Sequence, residues 1–290
     1  MYICIVVVLI LALAIIVCSL VLNRIMFQPV KTVSGQNCHE QYTEINSRFS
    51  FKSGKNHLNG YLYGADNKEG IVVMSHGMGV TSDYYIPEIL WLVEHGYMVM
   101  TFDNTAYRDN PGCFRGISQA VCDLRAAIRY AEQYELPITL FGHSMGGYAV
   151  CAVLNYADVI VDRVVSVAGF ATIREIMHSY ASLNIKRFSS LIEFLILIAQ
   201  SIWFGKVNKF SAINGINRSN SKILIAQGKN DEEVLCDTVS IFGKQEVLRQ
   251  SNMQYLLFDN GIRSTHMGII RGDAGSIINE DLLRNVIADV

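Results

Sequence analysis

Ser144 has the surroundings in this sequence that most favour nucleophilic chemistry. It is the centre of Gly-His-Ser-Met-Gly at residues 142–146, a Gly-x-Ser-x-Gly pattern. An apolar run at 138–141 precedes the pattern and small and apolar residues follow it at 148–154, which predicts a strand, a tight turn and a helix. Two glycines let such a turn bend sharply, so that the serine hydroxyl projects into a cleft. The plainer alternative is that Ser144 only caps a helix.

A serine hydroxyl is a poor nucleophile at neutral pH and needs a base within hydrogen-bonding distance. Histidine has the near-neutral pKa that suits this task, and His266 follows the last predicted strand. Alternatively, His266 is an ordinary loop histidine with a satisfied ring. The imidazolium formed during attack needs a buried carboxylate, and Asp231 follows the predicted strand at 223–226. Three other carboxylates lie near it in the sequence and remain alternatives: Glu232, Glu233 and Asp237.

Short apolar strands alternate with longer helical patterns along most of the chain. Continuous Val, Ile and Leu runs are typical of parallel strands that are buried on both faces. The strands are predicted at 49–52, 58–63, 71–75, 97–102, 138–141, 163–167, 223–226 and 254–258, the first two forming a hairpin. Helices are predicted at 83–95, 117–134, 145–156, 234–250 and 276–288. This order predicts an α/β fold with a mostly parallel, doubly wound sheet, whose ligands bind where the strands end.

The sequence resembles the α/β-hydrolase fold superfamily, and within it the serine aminopeptidase and monoacylglycerol lipase-like branch. The resemblance runs from about Phe49 to the C-terminus. It rests on the Gly-x-Ser-x-Gly turn, on His-Gly-Met-Gly at 76–79 after an early strand, and on the chain order Ser, Asp, His. It implies that Asp231, in a Gly-x-x-Asp turn, is the acid of a triad with Ser144 and His266. It also implies that the oxyanion hole consists of the backbone N–H groups of Met78 and Met145.

One stretch departs from the family pattern. The family commonly has Asp-x-x-Gly-x-Gly-x-Ser after the strand that precedes the nucleophile, whereas residues 103–112 keep the aspartate and lose the glycines. Asp103 is therefore interpreted as structural, and His76 also has most often a structural role in such loops. The departure affects the rim of the pocket more than the triad.

A long insertion separates the strands at 163–167 and 223–226. The resemblance implies that residues 170–218, approximately, form a helical cap over the site. Within it, residues 191–204 are apolar almost all round, and at about 1.5 Å per residue they are too short to cross a bilayer. The hypothesis is a cap helix packed against the body; the alternative is that part of its surface lines an acyl groove or touches the membrane.

The first 22 residues predict a transmembrane anchor. They are apolar from Ile3 to Leu22 except for Ser19, with no basic residue before them and no Ala-x-Ala site after them, which disfavours a cleaved signal peptide. A tether at 23–48 and a hydrolase domain at 49–290 would follow. Arg24 and Lys31 favour a cytoplasmic domain, as do the odd, scattered cysteines beyond the anchor, at 38, 113, 122, 151 and 236.

The composition narrows the possible functions. The chain has 290 residues, 51% of them hydrophobic, and a net charge of −2, so it can bury a large core and has no basic surplus for nucleic acid. Neither metal-ligand spacing nor a cofactor motif is present, and we predict no cofactor. The prediction is a single-pass membrane serine hydrolase that acts on small-molecule or lipid-like esters. The alternatives are a serine aminopeptidase, for which only Glu175 and Glu193 of the cap could hold a free amine, a thioesterase or acyltransferase, and a catalytically silent binding protein.

Overall fold

The computed structural model describes residues 2–31, 38–184, 188–272 and 277–288. Its centre is one eight-stranded sheet with the spatial order β1-β2-β4-β3-β5-β6-β7-β8. The strands are β1 Asn46–Ser53, β2 Asn56–Tyr63, β3 Ile71–Ser75, β4 Met98–Phe102, β5 Ile138–His143, β6 Arg163–Val167, β7 Lys222–Gly228 and β8 Met253–Phe258. β2 pairs antiparallel with β1 and with β4, and the remaining pairs are parallel. The fold is that of an α/β-hydrolase, as the sequence predicted.

The central strands are the continuous apolar runs of the sequence, and β3, β4 and β6 are buried along their whole length. The register of these strands brings the candidate functional residues to one edge of the sheet. Gly142 near the end of β5 lies opposite Ser75 of β3, and His143 lies opposite Val167 of β6. The segments that follow β3, β5, β7 and β8 therefore leave the sheet at the same edge, which is where the candidate residues were predicted to meet.

Helices cover both faces of the sheet. They are α2 Ile86–Glu94, α3 Ile117–Ala131, α4 Met145–Ala152 and α8 Glu280–Ile287. Two apolar clusters result, one containing residues of α3 and α4 and the other containing residues of α2 and α8. Short 3-10 turns extend the predicted helices, at Ser82–Tyr85 before α2, Glu132–Tyr134 after α3 and Val153–Asn155 after α4. The start predicted for the last helix, residue 276, lies outside the described residues.

The helix predicted at 234–250 is wrong. Within the described stretch 188–272, this segment contains a single 3-10 turn, Phe242–Val247, and otherwise runs as a loop. Its backbone bonds to the start of the cap instead: Val239 O accepts from Ala171 N, and Ile241 N donates to Gly169 O. Phe170 and Ser240 form the bridge between these two stretches. Tertiary pairing has therefore overridden a helical apolar pattern.

The insertion predicted as a cap is helical. It contains α5 Ile173–Asn184, α6 Ser189–Phe204 and α7 Ala212–Arg218. α6 packs against α5 and also against the N-terminal helix. α7 packs against α4, the helix that follows Ser144. The cap is thus attached to the body close to the edge at which the candidate residues collect.

The N-terminal helix, α1, runs from Tyr2 to Met26. Its described side chains are exposed as far as Cys18, and then Ser19, Asn23 and the following Phe27 are buried against the rest of the protein. Among the described residues, two helices are long and apolar enough to cross a membrane by length and composition alone: Cys4–Met26 and Ser189–Lys209.

Candidate active site

Ser144 lies in the sharp turn between β5 and α4, with φ 56° and ψ −117°. This is a left-handed conformation that side chains rarely adopt, and it is held by the bond from Ser144 N to Val167 O, 2.9 Å. The flanking glycines are required for space. A Cβ at Gly142 would collide with the Gly146 backbone, and one at Gly146 would collide with Ser75 O. The strained, partly exposed serine is the arrangement that a nucleophile needs.

His266 and Asp231 form a buried pair. The two carboxylate oxygens of Asp231 lie 2.8 and 3.0 Å from His266 Nδ1. The carboxylate also accepts bonds from the backbone N–H groups of Glu233 and Val234 and from Gln227 Nε2, at 2.8 to 3.0 Å. Asp231 is therefore oriented by its own loop and orients the imidazole in turn. Of the alternatives named above, Asp237 pairs instead with Lys229, at 3.0 Å on the surface.

Glu233 lies on the other side of the same ring. Its Oε2 is 3.6 Å from His266 Nε2, and its side chain is 58% exposed. Burial lowers the pKa of His266, but the hydrogen bond and charge of Asp231, with the charges of Glu233 and Glu232, outweigh this effect. The pKa of His266 is thereby raised above its ordinary value. Nε2 is the atom that would receive a proton from a serine, so its surroundings matter for catalysis.

His143, the residue before Ser144, links the turn to the base. Its ring centroid is 4.9 Å from that of His266, and its Nε2 is 3.1 Å from the His266 carbonyl oxygen. Complete burial lowers the pKa of His143 to about 3, so the ring is neutral. His143 thus places the turn that carries Ser144 against the loop that carries His266.

Tyr85 continues this link to the loop after β3. Its hydroxyl oxygen accepts from Gly77 N at 3.1 Å and lies 3.1 Å from His143 Nδ1. Because that oxygen accepts from the backbone, its proton is available for Nδ1, and His143 Nε2 then carries the hydrogen that is donated to His266 O. One chain of hydrogen bonds therefore joins the loop of 76–79, the serine turn and the His266 backbone.

Met78 and Met145, the predicted oxyanion donors, lie in the segments that follow β3 and β5. Met145 is the first residue of α4, where helix N–H groups are not used within the helix, and its side chain is buried. Met78 lies in the loop after β3, with its side chain 42% exposed. His76 fixes that loop by accepting from Asn104 N at Nε2, 3.1 Å, while its Nδ1 lies 2.7 Å from Gly77 O. His76 thus has the structural role predicted for it.

The sequence matches the family of serine aminopeptidases, S33, over residues 66–251, which is more than half of the chain. The chain belongs to this family. Ser144 and Asp231 lie inside the matched range, and His266 lies beyond it. The resemblance inferred from the serine turn and from the His-Gly-x-Gly loop is therefore confirmed, and the protein is a hydrolase at the level of its family.

Solved structures agree on the fold. An esterase from Pyrococcus furiosus matches with a TM-score of 0.65 at 15% identity, over 90% of this chain and 96% of the esterase. An esterase from Exiguobacterium antarcticum matches with a TM-score of 0.56 at 15% identity, over 83% of this chain and 99% of the other. An acylaminoacyl peptidase from Pyrococcus horikoshii matches with a TM-score of 0.57 at 15% identity, over 82% of this chain and 41% of the peptidase. No curated protein sequence matches the chain.

The aspartate after β4 supports the hydrolase site from outside it. Asp103 accepts a hydrogen bond from Ser82 N at 2.7 Å and pairs with Arg108 Nε at 2.8 Å. All three residues are buried. Arg108 also pairs with Asp83 at 2.8 Å. This buried network fixes the segment between β3 and α2 against the segment after β4. Asp103 is structural, as predicted. At the two pattern positions that lack glycine, Ala106 and Arg108 have positive φ values of 69° and 45°.

A cavity of about 910 Å³ lies between α5, α6 and the loop that follows Asp231. Its lining is partly apolar, with Phe194, Leu197, Leu235 and Val239. The rest of the lining is polar or charged, with Arg174, Glu175, His178, Ser179, Ser182, Ser190, Glu193 and Thr238. Leu235 follows Val234, whose N–H bonds to Asp231, so the cavity adjoins the acid loop. Another cavity, of about 930 Å³, lies at the opposite edge of the sheet around Pro137 and Arg163, away from the candidate triad.

The two cap glutamates are already paired. Glu193 is buried and bonds to Arg174 Nε at 2.9 Å and to His178 Nδ1 at 2.8 Å. Glu175 pairs with Lys244 at 2.9 Å. Their charges are therefore offset within the hydrolase itself. Among the described residues, no group of three His, Cys, Asp or Glu side chains is placed to hold a metal ion.

Sequence reasoning missed three features of this site. Tyr85 gave no signal, because a tyrosine at the start of a helix is usually core. His143 was noted only as the variable residue of the turn, and Glu233 only as an alternative acid. Tyr85 contacts His143, and His143 and Glu233 contact His266. These contacts depend on the way in which the segments after β3, β5, β7 and β8 meet, which no local pattern encodes.

Proposed function

We propose that this protein is a membrane-anchored serine hydrolase that cleaves carboxylic esters, with a preference for acyl or lipid-like substrates, through an acyl-serine intermediate. The observation that carries the proposal is the buried His266–Asp231 pair beside the strained Ser144. A helix cap would explain neither the strain nor the pair.

The proposed reaction has two halves, the acylation of Ser144 and the hydrolysis of the acyl-serine. Ser144 Oγ attacks the ester carbonyl carbon while His266 Nε2 takes the hydroxyl proton, and Asp231 stabilises the imidazolium. The carbonyl oxygen becomes an oxyanion that the N–H groups of Met78 and Met145 stabilise. The intermediate then expels the alcohol, which takes the proton from Nε2 and leaves the acyl-serine. In the second half, water attacks the acyl carbon while His266 Nε2 takes its proton. The bond to Ser144 Oγ then breaks, Oγ takes the proton back from Nε2, and the acid leaves.

Ester hydrolysis is favoured over aminopeptidase activity by the charges of the cap. A peptidase of that type would need free carboxylates to bind the amino terminus of its substrate, whereas Glu175 and Glu193 are paired with Lys244, Arg174 and His178. The apolar side of the adjoining cavity suits an acyl chain. Thioester hydrolysis or acyl transfer would use the same groups and is the second candidate.

The proposed membrane anchor is the N-terminal helix α1. The exposed, apolar turns of α1 would be stable in hydrocarbon and not in water. We place the hydrolase domain on the cytoplasmic side, because Arg24 and Lys31 follow the apolar segment. Protease protection in intact cells tests the orientation, and digestion of the domain from outside would contradict it.

The triad is tested by non-additivity. Ser144→Ala and His266→Ala should each lower kcat on a short ester by several powers of ten, and the double variant should be scarcely worse, because the two groups act as a unit. Asp231→Asn should keep its thermal stability and lose much activity, since an amide permits the wrong imidazole tautomer. If Ser144→Ala remained active, or if the losses simply multiplied, the proposed mechanism would be wrong.

A further inference from the structure

The cap helix α6 carries its polar and apolar side chains in an unusual arrangement. Glu193 and Gln200 face inward and are buried, whereas Leu191, Phe194 and Ile202 are more than half exposed. A helix on the surface of a water-soluble protein has the opposite arrangement. Glu193 is the only charged residue of α6, and its inward side chain is offset by Arg174 and His178. The outer face of α6 therefore presents no charge.

The length of α1 indicates what lies against this face. The exposed turns at residues 2–18 are 17 residues long, which at about 1.5 Å per residue gives about 26 Å. A hydrocarbon core of about 30 Å is thicker than this, so the membrane span has to include the next turn, which is apolar as far as Leu22. That next turn is already in contact with protein: Ser19 is buried, and α1 packs against α6. The part of α6 that packs against this turn of α1 must therefore lie at the same depth in the bilayer.

Buried polar contacts fix the two helices to each other. Asn23 Oδ1 accepts from Gln200 Nε2 at 2.7 Å, and Asn23 Nδ2 donates to Arg115 O at 3.1 Å. Gln200 Nε2 also donates to Arg115 O. The Arg115 guanidinium lies 5.2 Å from the ring centre of Trp203, at the C-terminal end of α6. The cap helix is thus held to the anchor at the point where the apolar sequence of α1 ends.

We propose that the outer face of α6, formed by Leu191, Phe194 and Ile202, lies against the acyl chains at the surface of the bilayer. This inference rests on the proposed anchoring by α1. Phe194 and Leu197 belong both to the cavity beside the acid loop and to an open apolar hollow on α6 with Ile198 and Ile202. In this placement the hollow faces lipid, and we expect esters to reach the adjoining cavity from the membrane rather than from water. Arg24 lies in the last turn of α1 and Lys206 follows the end of α6, and in this placement both would lie at the level of anionic headgroups.

Depth-dependent fluorescence quenching tests the placement. The chain has two tryptophans, Trp91 and Trp203, and both are replaced by Phe in the full-length protein. A single Trp is then introduced at Leu191 or, as a control, at Ile160, an apolar residue that is 83% exposed near the opposite edge of the sheet. Each variant is reconstituted into phosphatidylcholine–phosphatidylglycerol vesicles, with and without bromine on the acyl chains.

The Leu191→Trp variant should lose about half of its emission in brominated vesicles, whereas the Ile160→Trp variant should be unaffected. Equal emission of Leu191→Trp in both vesicles, or equal quenching of both variants, would overturn the inference. Flotation of the same vesicles separates the two proposals. If the protein does not float with lipid, the anchoring itself has failed; if it floats and Trp at position 191 is not quenched, only the α6 inference has failed.

The kinetic consequence is tested with Leu191→Asn combined with Ile202→Asn, two side chains outside the cavity beside the acid loop. Turnover of a long-chain ester embedded in vesicles should fall about tenfold, with turnover of a dissolved short ester unchanged. Ile160→Asn is the matched control and should change neither rate. An equal loss on both substrates would contradict a role at the membrane and indicate a packing role.

Discussion

His266 has a carboxylate near each of its ring nitrogens, and the two carboxylates differ in what they can do. Asp231 is buried and held by three further hydrogen bonds, so it fixes the ring and the tautomer. Glu233 is mostly exposed and lies 3.6 Å from Nε2, on the side where a leaving group would collect its proton. It can therefore tune the base without orienting it.

Replacing Glu233 by Gln should move the acidic limb of the pH profile. The base must be neutral to act, so kcat/KM falls as the pH drops through the pKa of His266, which Glu233 helps to raise. Removing that charge lowers this pKa, so the limb should shift to lower pH, by a small amount because the carboxylate is screened by solvent. The measurement is kcat/KM on a neutral ester between pH 5 and 8, roughly the range in which histidine titrates.

Glu232→Gln is the control for this prediction, because its charge contributes less to the pKa of His266 than that of Glu233. Its pH limb should move less. A Glu233→Gln profile that coincides with the wild type, or one that shifts toward higher pH, would show that this carboxylate does not act on the base.

Tyr85→Phe should lower turnover while the fold persists. The change leaves Gly77 N and His143 Nδ1 without the hydroxyl that joins them, so the loop of 76–79 and the His266 backbone lose a shared support. We expect kcat to fall by about one to two powers of ten, with KM little changed, because positioning errors act mainly in the transition state. Steady-state kinetics on a short ester provides both constants.

Tyr63→Phe is the matched variant for comparison. Tyr63 is equally buried, and its hydroxyl bonds to His39 Nδ1 at 2.7 Å, away from the site. It should show a similar loss of thermal stability and a normal kcat. If both variants lost kcat in proportion to their stability, Tyr85 would be a packing residue only.

At the scale of elements, α1 is the proposed anchor, and its C-terminal end is also a part of the body. Phe27 is 2% exposed and packs edge-to-face on Phe114, with ring centroids 6.5 Å apart, and Arg108 N donates to Val30 O at 3.0 Å. The residues just beyond the helix are thus core residues, while the turns before Cys18 touch little else. The anchor can be shortened, but not as far as Phe27.

Deleting residues 2–17 should yield a protein whose Tm and short-ester turnover are preserved. Adding Phe27→Ala to this form should destabilise it by about 3 kcal/mol, because a buried ring is lost, and lower its Tm by about 6–12 °C. Phe188→Ala, which removes a ring that is 56% exposed, is the control and should cost little. Thermal unfolding followed by circular dichroism measures all three. A normal Tm for Phe27→Ala would mean that α1 is not integrated into the body.

The elements that the sequence predicted best are those whose secondary structure is determined by their own residues. The apolar runs of β3, β4 and β6 are buried on both faces, and no competing structure could bury them as well. The segment 234–250 has a helical apolar pattern but was mispredicted, because its backbone pairs with residues 169–171, which are distant in sequence. Similarly, nothing near Gln200 indicates that it bonds to Asn23 across 177 positions.

At the scale of the whole molecule, sequence predicted the fold and grouped the candidate triad, because loop order in a parallel sheet determines which residues share an edge. It could not predict the contacts that refine the site. Those contacts, between Tyr85 and His143 and between Glu233 and His266, arise where the segments after β3, β5, β7 and β8 meet. The relation between the cap and the anchor is also a property of the assembled chain, since it depends on α1 and α6 packing together.

The central claim is that Ser144 is a nucleophile activated by His266. It is tested most directly by treating the full-length protein with a fluorophosphonate and locating the adduct by peptide mass spectrometry. We predict one stoichiometric adduct, on Ser144, which is absent from Ser144→Ala and forms at a rate several powers of ten lower in His266→Ala. An unlabelled wild-type protein, a label on another residue, or equal labelling rates in wild type and His266→Ala would contradict the account.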